Sequence, residues 1–294
     1  MCRWLAYYGD PIPIEVLVLR RQHSLIDQSL HSRDAGADPT NGDGFGVGWY
    51  DELGGMPGLY KSIHPAWNDR NLRELAQHIS SPLFFAHIRA STGTPVQETN
   101  SHPFRHGRWL FMHNGFVREF PRMRRDLMLA VDPALFPEIE GSGDSEVLFH
   151  LALTFGLEDD PLTAIELMAG FVEEVGERHG VANPLKMTVA TSDGERIIAA
   201  RYSSDGHAGS LYVSTDARTL KAHYPDIEEL QGLSDETRAI VSEPLGDVVG
   251  AWNELPASSI GIVKPGQDEL YEFTPRRPGG NATPPKERVG LLPS

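Results

Sequence analysis

Six short apolar runs follow one another between Leu185 and Thr274: "LKMTVAT", "ERIIAARY", "SLYVST", "AIVSEP", "SSIGIV" and "ELYEFT". Asp193-Gly194 separates the first two, a strong hairpin signal, and Pro265-Gly266 separates the last two. Runs this short cannot stand as independent helices, and turn residues between neighbours make antiparallel pairing the economical reading. The second half of the chain is therefore a set of antiparallel strands in want of a covering layer.

The first half supplies both strands and helices. Trp4–Tyr8, Phe45–Tyr50, "LYKSI", "LFFAHIRA" and "RWLFMHN" read as strands. Helical patterns cover Ile14 to His23, "NDRNLRELAQHI", Ser145 to Phe155 and Leu162 to His179. Mixed elements followed by a run of strands point to an α+β fold rather than alternating parallel α/β. No linker interrupts the chain between Gly48 and Phe273, so residues 2–274 are expected to form one domain. From Pro275 to Ser294 the sequence is rich in Pro and Gly and is expected to be a loose tail.

Lys and Arg number 26 against 41 Asp and Glu, a net charge of -15. That sign disfavours nucleic acid and anionic membrane surfaces as partners. The N-terminus carries no apolar signal core, and no run is long enough to cross a bilayer. A single cysteine excludes an internal disulfide framework and suits a reducing compartment, so a cytoplasmic protein is expected.

That cysteine is residue 2. It reads either as a small hydrophobe in an N-terminal strand or, once Met1 is removed, as a residue holding a thiol and a free α-amine together. An α-amine with a reference pKa of about 7.7–8.0 can act as the base for its own thiol, without help from metal or cofactor. Asn114-Gly115 reads either as a turn or as a pair of oxyanion donors, a side-chain amide and a backbone N–H. Arg89 ends a buried strand and needs a partner, either a structural carboxylate or that of a substrate. Asp144 opens a helix, either as its cap (with Ser142 the alternative) or as receiver of a substrate ammonium. His102, His106 and His113 are close in sequence, but at no spacing that recurs on a helix face as a metal site would require.

Taken in order, "MCRWLAYYG", "NGDGFGVGWY", "FFAHIRAST", "TNSHPF", "MHNG" and "GDSE" resemble the class II glutamine amidotransferases, whose glutaminase domain is an N-terminal-nucleophile (Ntn) hydrolase. The resemblance implies a four-layer αββα sandwich of two antiparallel sheets. It implies Cys2 as nucleophile and base, Asn114 and the Gly115 N–H as the oxyanion hole, and Arg89 on the α-carboxylate with Thr92 nearby. It implies Asp144 on the α-ammonium, Asp43 shaping the loop beside the nucleophile, and His102 either catalytic or orienting its loop through hydrogen bonds. The implied substrate is glutamine or another γ-glutamyl compound. Almost nothing beyond the expected sandwich is left for a synthase domain, so the acceptor is expected to be water or the substrate of a separate synthase partner; a third possibility is a catalytically inactive binding homologue. The "SEP…WNELP" segments resemble the compact subgroup that includes γ-glutamyl hydrolases of thiol metabolism. Gly143 departs from the pattern, since a threonine often precedes "DSE" in the family.

Overall fold

The computed structural model describes residues 2–20, 23–30, 41–51, 54–91, 93–215, 217–223, 225–226, 231–246, 250–279, 288–290 and 292. The chain begins with β1 (Arg3–Pro13), the short helices α1 (Glu15–Val18) and α2 (Leu25–Leu30), and the hairpin β2 (Phe45–Tyr50) and β3 (Gly58–Ser62). Next come α3 (Arg70–His78), β4 (Ser80–Ile88), β5 (Phe104–His106), β6 (Trp109–Val117), and the helices α4 (Phe120–Leu129), α5 (Asp144–Thr154) and α6 (Pro161–His179). The last part holds β7 (Leu185–Ser192), β8 (Ile197–Ser203), β9 (Tyr212–Ser214), α7 (Ala217–His223), β10 (Arg238–Val241), β11 (Trp252–Glu254), β12 (Ser259–Val263), β13 (Glu269–Glu272) and β14 (Arg288–Gly290).

These strands form two seven-stranded sheets, ordered β11-β9-β10-β1-β4-β2-β3 and β14-β13-β12-β8-β7-β6-β5. Every pairing is antiparallel. Period-two alternation sorts the side chains into three cores. In β1, Trp4 and Ala6 face the second sheet, with Leu83 and Phe85 of β4 and Leu110 and Met112 of β6. Leu5 and Tyr7 point the other way, toward a core shared with α1, α2 and α3. On the far side, Phe111, Met187 and Val189 pack under α4, α5 and α6. The result is helix, sheet, sheet, helix: the αββα sandwich expected from the sequence. Among the described residues, no helix is long and apolar enough to cross a membrane.

Three details depart from the sequence reading. Among the described residues, the helix expected from Ile14 to His23 is a single turn, Glu15–Val18, with Ile14 as N-cap and Leu19 as C-cap, and β1 runs on past Tyr8 to Pro13, whose partner is Ser80 on β4. Asn114-Gly115 lies inside β6 rather than at a turn, with Asn114 opposite Thr188 and Gly115 opposite Met187. Within the stretch expected as a loose tail, three described parts meet the sandwich. Arg276 pairs with the buried Glu166 at 2.7 Å, β14 extends the second sheet, and Leu292 is buried.

Candidate active site

Cys2 precedes β1 by one residue, and the start of that strand is held from both sides. Trp4 N donates to Ser242 Oγ at 3.0 Å, and Ser242 N donates to Trp4 O at 3.1 Å. Arg3 forms a buried ion pair with Glu243, Nη2 to Oε2, at 2.7 Å. Ser242 and Glu243 belong to the "SEP" segment, so the fixing of the N-terminus is one physical role for that motif.

The thiol faces the end of β4. Ala90 N donates to Cys2 Sγ at 3.2 Å, and Sγ lies 3.4 Å from Ala90 O. Burial pushes the thiol above its ordinary pKa, opposed by the Ala90 contact and the charges of Arg89 and Arg3. Cys2 lines a cavity of about 420 Å³ together with Arg89, Thr94, Gly115, Gly143 and Asp144.

Arg89 is buried, and no carboxylate reaches it within ion-pair distance among the described residues. Its acceptors are Thr94 Oγ1 at 2.5 Å, Ser91 Oγ and Pro95 O at 3.2 Å, and Asp43 O at 3.4 Å. Burial lowers its pKa below the ordinary guanidinium range. A guanidinium fixed by neutral acceptors at the wall of a cavity keeps its charge for an anion.

Asp144 is the first residue of α5, but its carboxylate does not cap that helix. Oδ2 accepts from Val117 N at 2.7 Å, and Oδ1 accepts from Ser145 Oγ at 3.3 Å. The peptide N–H groups of Ser142 and Gly143 are satisfied instead by Asn100 Oδ1, at 2.8 and 3.3 Å. Asn100 Nδ2 donates to Pro95 O and Ser142 Oγ. One buried side chain thus ties the Arg89 loop to the Asp144 loop, and both loops border the cavity. Sequence reasoning missed Asn100, although it lies inside the quoted "TNSHPF".

Asn114 projects from β6 into the space between the sheets. Its Nδ2 donates to Cys2 O at 2.7 Å, and its Oδ1 lies 3.2 Å from His87 Nε2. Gly115 has φ +144°, and a Cβ there would stand 1.9 Å from Lys186 O. Only glycine fits. His113 lines the cavity, with Nδ1 2.8 Å from Ser145 Oγ, and its pKa is lowered by burial against the charge of Asp144.

The remaining expected residues fare differently. Asp43 does not line the cavity; its carboxylate accepts from Ser91 N at 2.7 Å and braces the turn behind Arg89. His102 does line it, but neither ring nitrogen has a hydrogen-bond partner among the described residues, which gives no support to a role in orienting its loop in that way. Its ring packs against His87 and Phe104 instead. The His102 carbonyl crosses β2 where a Cβ on Gly46 would stand 2.2 Å away, one reason for glycine in "FGVGW". Thr92 lies outside the described residues.

Comparison with known proteins identifies the family. The family model for class-II glutamine amidotransferases matches residues 22–267. A probable glutamine amidotransferase of Saccharomyces cerevisiae is 34% identical over 312 residues, covering 94% of this chain and 87% of that protein. A gamma-glutamyl-hercynylcysteine sulfoxide hydrolase of Mycolicibacterium smegmatis is 28% identical, covering 87% of this chain and 92% of that one. A glutamine aminotransferase class-II domain protein of known structure from Silicibacter pomeroyi superimposes with a TM-score of 0.71 at 34% identity, over 94% of this chain and all of that one. The glutamine phosphoribosylpyrophosphate amidotransferase of B. subtilis shares the fold, with a TM-score of 0.61 at 16% identity, over 94% of this chain and 50% of that chain. With the model spanning most of the sandwich and relatives alike along nearly the whole chain, this protein belongs to the class II glutamine amidotransferases, enzymes of the Ntn-hydrolase fold.

Proposed function

We propose that the chain hydrolyses a γ-glutamyl amide, glutamine or a larger γ-glutamyl compound, through a thioester on Cys2. The observation that carries this reading is the cavity itself: a thiol, a guanidinium without a carboxylate and a carboxylate line one space of about 420 Å³. A γ-glutamyl amide presents an α-carboxylate, an α-ammonium and, a few bonds away, the γ-amide. Arg89 takes the first, Asp144 the second, and Cys2 meets the third.

Removal of Met1 frees the Cys2 amine. The amine takes the thiol proton, and Sγ attacks the γ-carbonyl carbon to form a tetrahedral oxyanion. Asn114 Nδ2, already 2.7 Å from the Cys2 carbonyl, and the Gly115 N–H stabilise that charge. Collapse breaks the C–N bond, and the proton held by the amine leaves with ammonia or the departing amine. Water, deprotonated by the same amine, then attacks the thioester, releasing glutamate and restoring the thiol. This sequence uses no metal or cofactor, and a cytoplasmic setting keeps the thiol reduced.

The chain, checked by mass spectrometry for loss of Met1, is incubated with glutamine and a panel of γ-glutamyl compounds. Release of glutamate and a γ-glutamyl adduct on Cys2 in quenched samples are expected, and Cys2→Ala removes both. Normal turnover by Cys2→Ala refutes the mechanism. Turnover that begins only when a second protein is supplied assigns the chain instead as an ammonia-delivering subunit.

A further inference from the structure

Asn114 carries two opposite atoms at one place, a donor and an acceptor. Rotating its amide by half a turn exchanges them and aims an acceptor where a developing oxyanion needs a donor. The shape of the amide does not oppose that rotation, because its terminal torsion is broad and roughly two-fold. Its neighbours must decide. We propose that His87 is a positioning residue: as the neutral Nε2–H tautomer it donates to Asn114 Oδ1 and so keeps Nδ2 turned toward Cys2. The inference rests on the reading of Asn114 as an oxyanion donor.

Three observations assign the tautomer. His87 is fully buried, and burial pushes its pKa down to about 3, so a single N–H is available near neutral pH. Its Nε2 lies 3.2 Å from Asn114 Oδ1, an atom that can only accept; a bare nitrogen there would set two acceptors against each other. Its Nδ1 has no hydrogen-bond partner of ordinary geometry among the described residues, so a proton placed there would be a poorly paired buried donor; the His113 backbone is the other polar group near the ring. Both ends of the ring choose the same state.

The clamp on the amide then has two jaws. Cys2 O reads its donor at 2.7 Å, and His87 reads its acceptor. The second jaw is the rigid one. His87 sits in β4 opposite Trp4 on β1 and Gly46 on β2, and its ring is packed against His102 with centroids 4.2 Å apart. His102, whose nitrogens take no partner among the described residues, acts here as a wall. The same strand end carries Arg89 two residues on, so one element sets both the substrate anchor and the amide.

The test has an arm independent of substrate. Long-range ¹H–¹⁵N correlation on the histidine rings of the full chain should find His87 protonated on Nε2 alone between pH 5 and 9. An Nδ1–H ring, or one that titrates in that window, overturns the assignment. The kinetic arm uses γ-glutamyl-p-nitroanilide and glutamine. His87→Leu should lower kcat about 10- to 100-fold with KM held within about threefold, since a buried acceptor stripped of its donor turns to find another. His87→Gln, which restores an N–H near the same place, should recover most of that loss. In an Asn114→Ala background, His87→Leu should change little more. Equal losses in the Leu and Gln variants, or a full further loss in the Asn114→Ala background, overturn the proposal. Should the parent chain cleave no γ-glutamyl donor, the hydrolase reading falls. The ring tautomer, and a crystal structure of His87→Leu, then decide alone: an unmoved Asn114 amide in that variant overturns the positioning role.

Discussion

Replacing Glu243 with alanine is expected to destabilise the protein by about 3–5 kcal/mol, the usual cost of stripping one partner from a buried ion pair. The site fits that class. Arg3 and Glu243 are 2.7 Å apart, with side chains only 2% and 9% exposed. At an effective dielectric of about 20, charges so placed attract with a gross energy of about 6 kcal/mol. Most of this only offsets the desolvation of two ions, so the pair contributes little net stability. Once the carboxylate is gone, the guanidinium keeps its desolvation cost and loses its charged partner. Arg3 also donates to Cys2 O at 3.3 Å, so the disturbance reaches the residue that carries the thiol.

The assay is urea unfolding at pH 7, followed by tryptophan fluorescence and far-UV circular dichroism, whose coincidence tests for a single transition. The midpoint should fall at constant slope, so the change is a stability change and not a change in exposed surface. A second variant isolates the cause. Arg3→Met combined with Glu243→Leu removes both charges and should recover most of the loss, because neither ion is left stranded. A loss below about 1 kcal/mol for Glu243→Ala, or a double variant as unstable as the single one, would refute the reasoning.

Arg89→Gln should raise KM for a γ-glutamyl substrate about 10- to 100-fold, as expected from losing one or two charge-assisted hydrogen bonds, with kcat less affected; an unchanged KM removes Arg89 from the carboxylate site. Gly115→Ala should abolish turnover and lower the melting temperature, because its Cβ would stand 1.9 Å from a backbone oxygen at φ +144°; a crystal structure with β6 undisturbed would contradict this. Lys61 sits over the Phe104 ring at 5.0 Å, and burial pushes its pKa down to about 8. Below pH 8 both folded and unfolded chains hold that proton and the folded state bears the full desolvation cost. As pH rises beyond 8 the folded chain releases it first, so this group adds stability up to the unfolded value. Lys61→Met should therefore stabilise the protein at pH 7 and flatten that rise in denaturation profiles between pH 8 and 10; an unaltered slope would count against it.

Much of the sandwich could be read from local pattern. The helices expected at Ser145–Phe155 and Leu162–His179 lie within one residue of Asp144–Thr154 and Pro161–His179, because their apolar spacing and Pro161 act within a turn or two. The six strands of the second half also appear, because their alternation is a property of each run alone. What stayed hidden depends on pairing at long range. Asn114-Gly115 has turn chemistry as a dipeptide, yet eight consecutive residues of β6 pair with β7, and that ladder outweighs the dipeptide. The same holds for Arg276, which is fixed by Glu166, a partner more than a hundred residues away.

The site divides along the same line. Cys2, Arg89 and Asp144 stand out in the sequence because their chemistry is conspicuous where it occurs: a lone thiol, a cation at a buried strand end, an acid at a helix start. Asn100 and His87 do not, because their value lies entirely in what they face. An amide is ordinary until Ser142, Gly143 and Pro95 converge on it, and an imidazole in an apolar strand is ordinary until a second sheet brings Asn114 opposite. This has a physical consequence for the enzyme. Cys2 leads into the sheet that holds His87, and Asn114 belongs to the other, so the geometry between thiol and amide is set by how the two sheets pack. Trp4, Phe85, Leu110 and Met112 fill that seam without exposure. A cavity opened there by Leu110→Ala should therefore cost activity as well as the roughly 2–5 kcal/mol of stability expected for such a truncation, although Leu110 touches no substrate group. Parallel measurements of unfolding and of turnover at 25 °C, well below the melting temperature, separate the two effects. Full kcat in a destabilised Leu110→Ala would mean that the amide and thiol are held by local contacts alone, and that the seam is only structural.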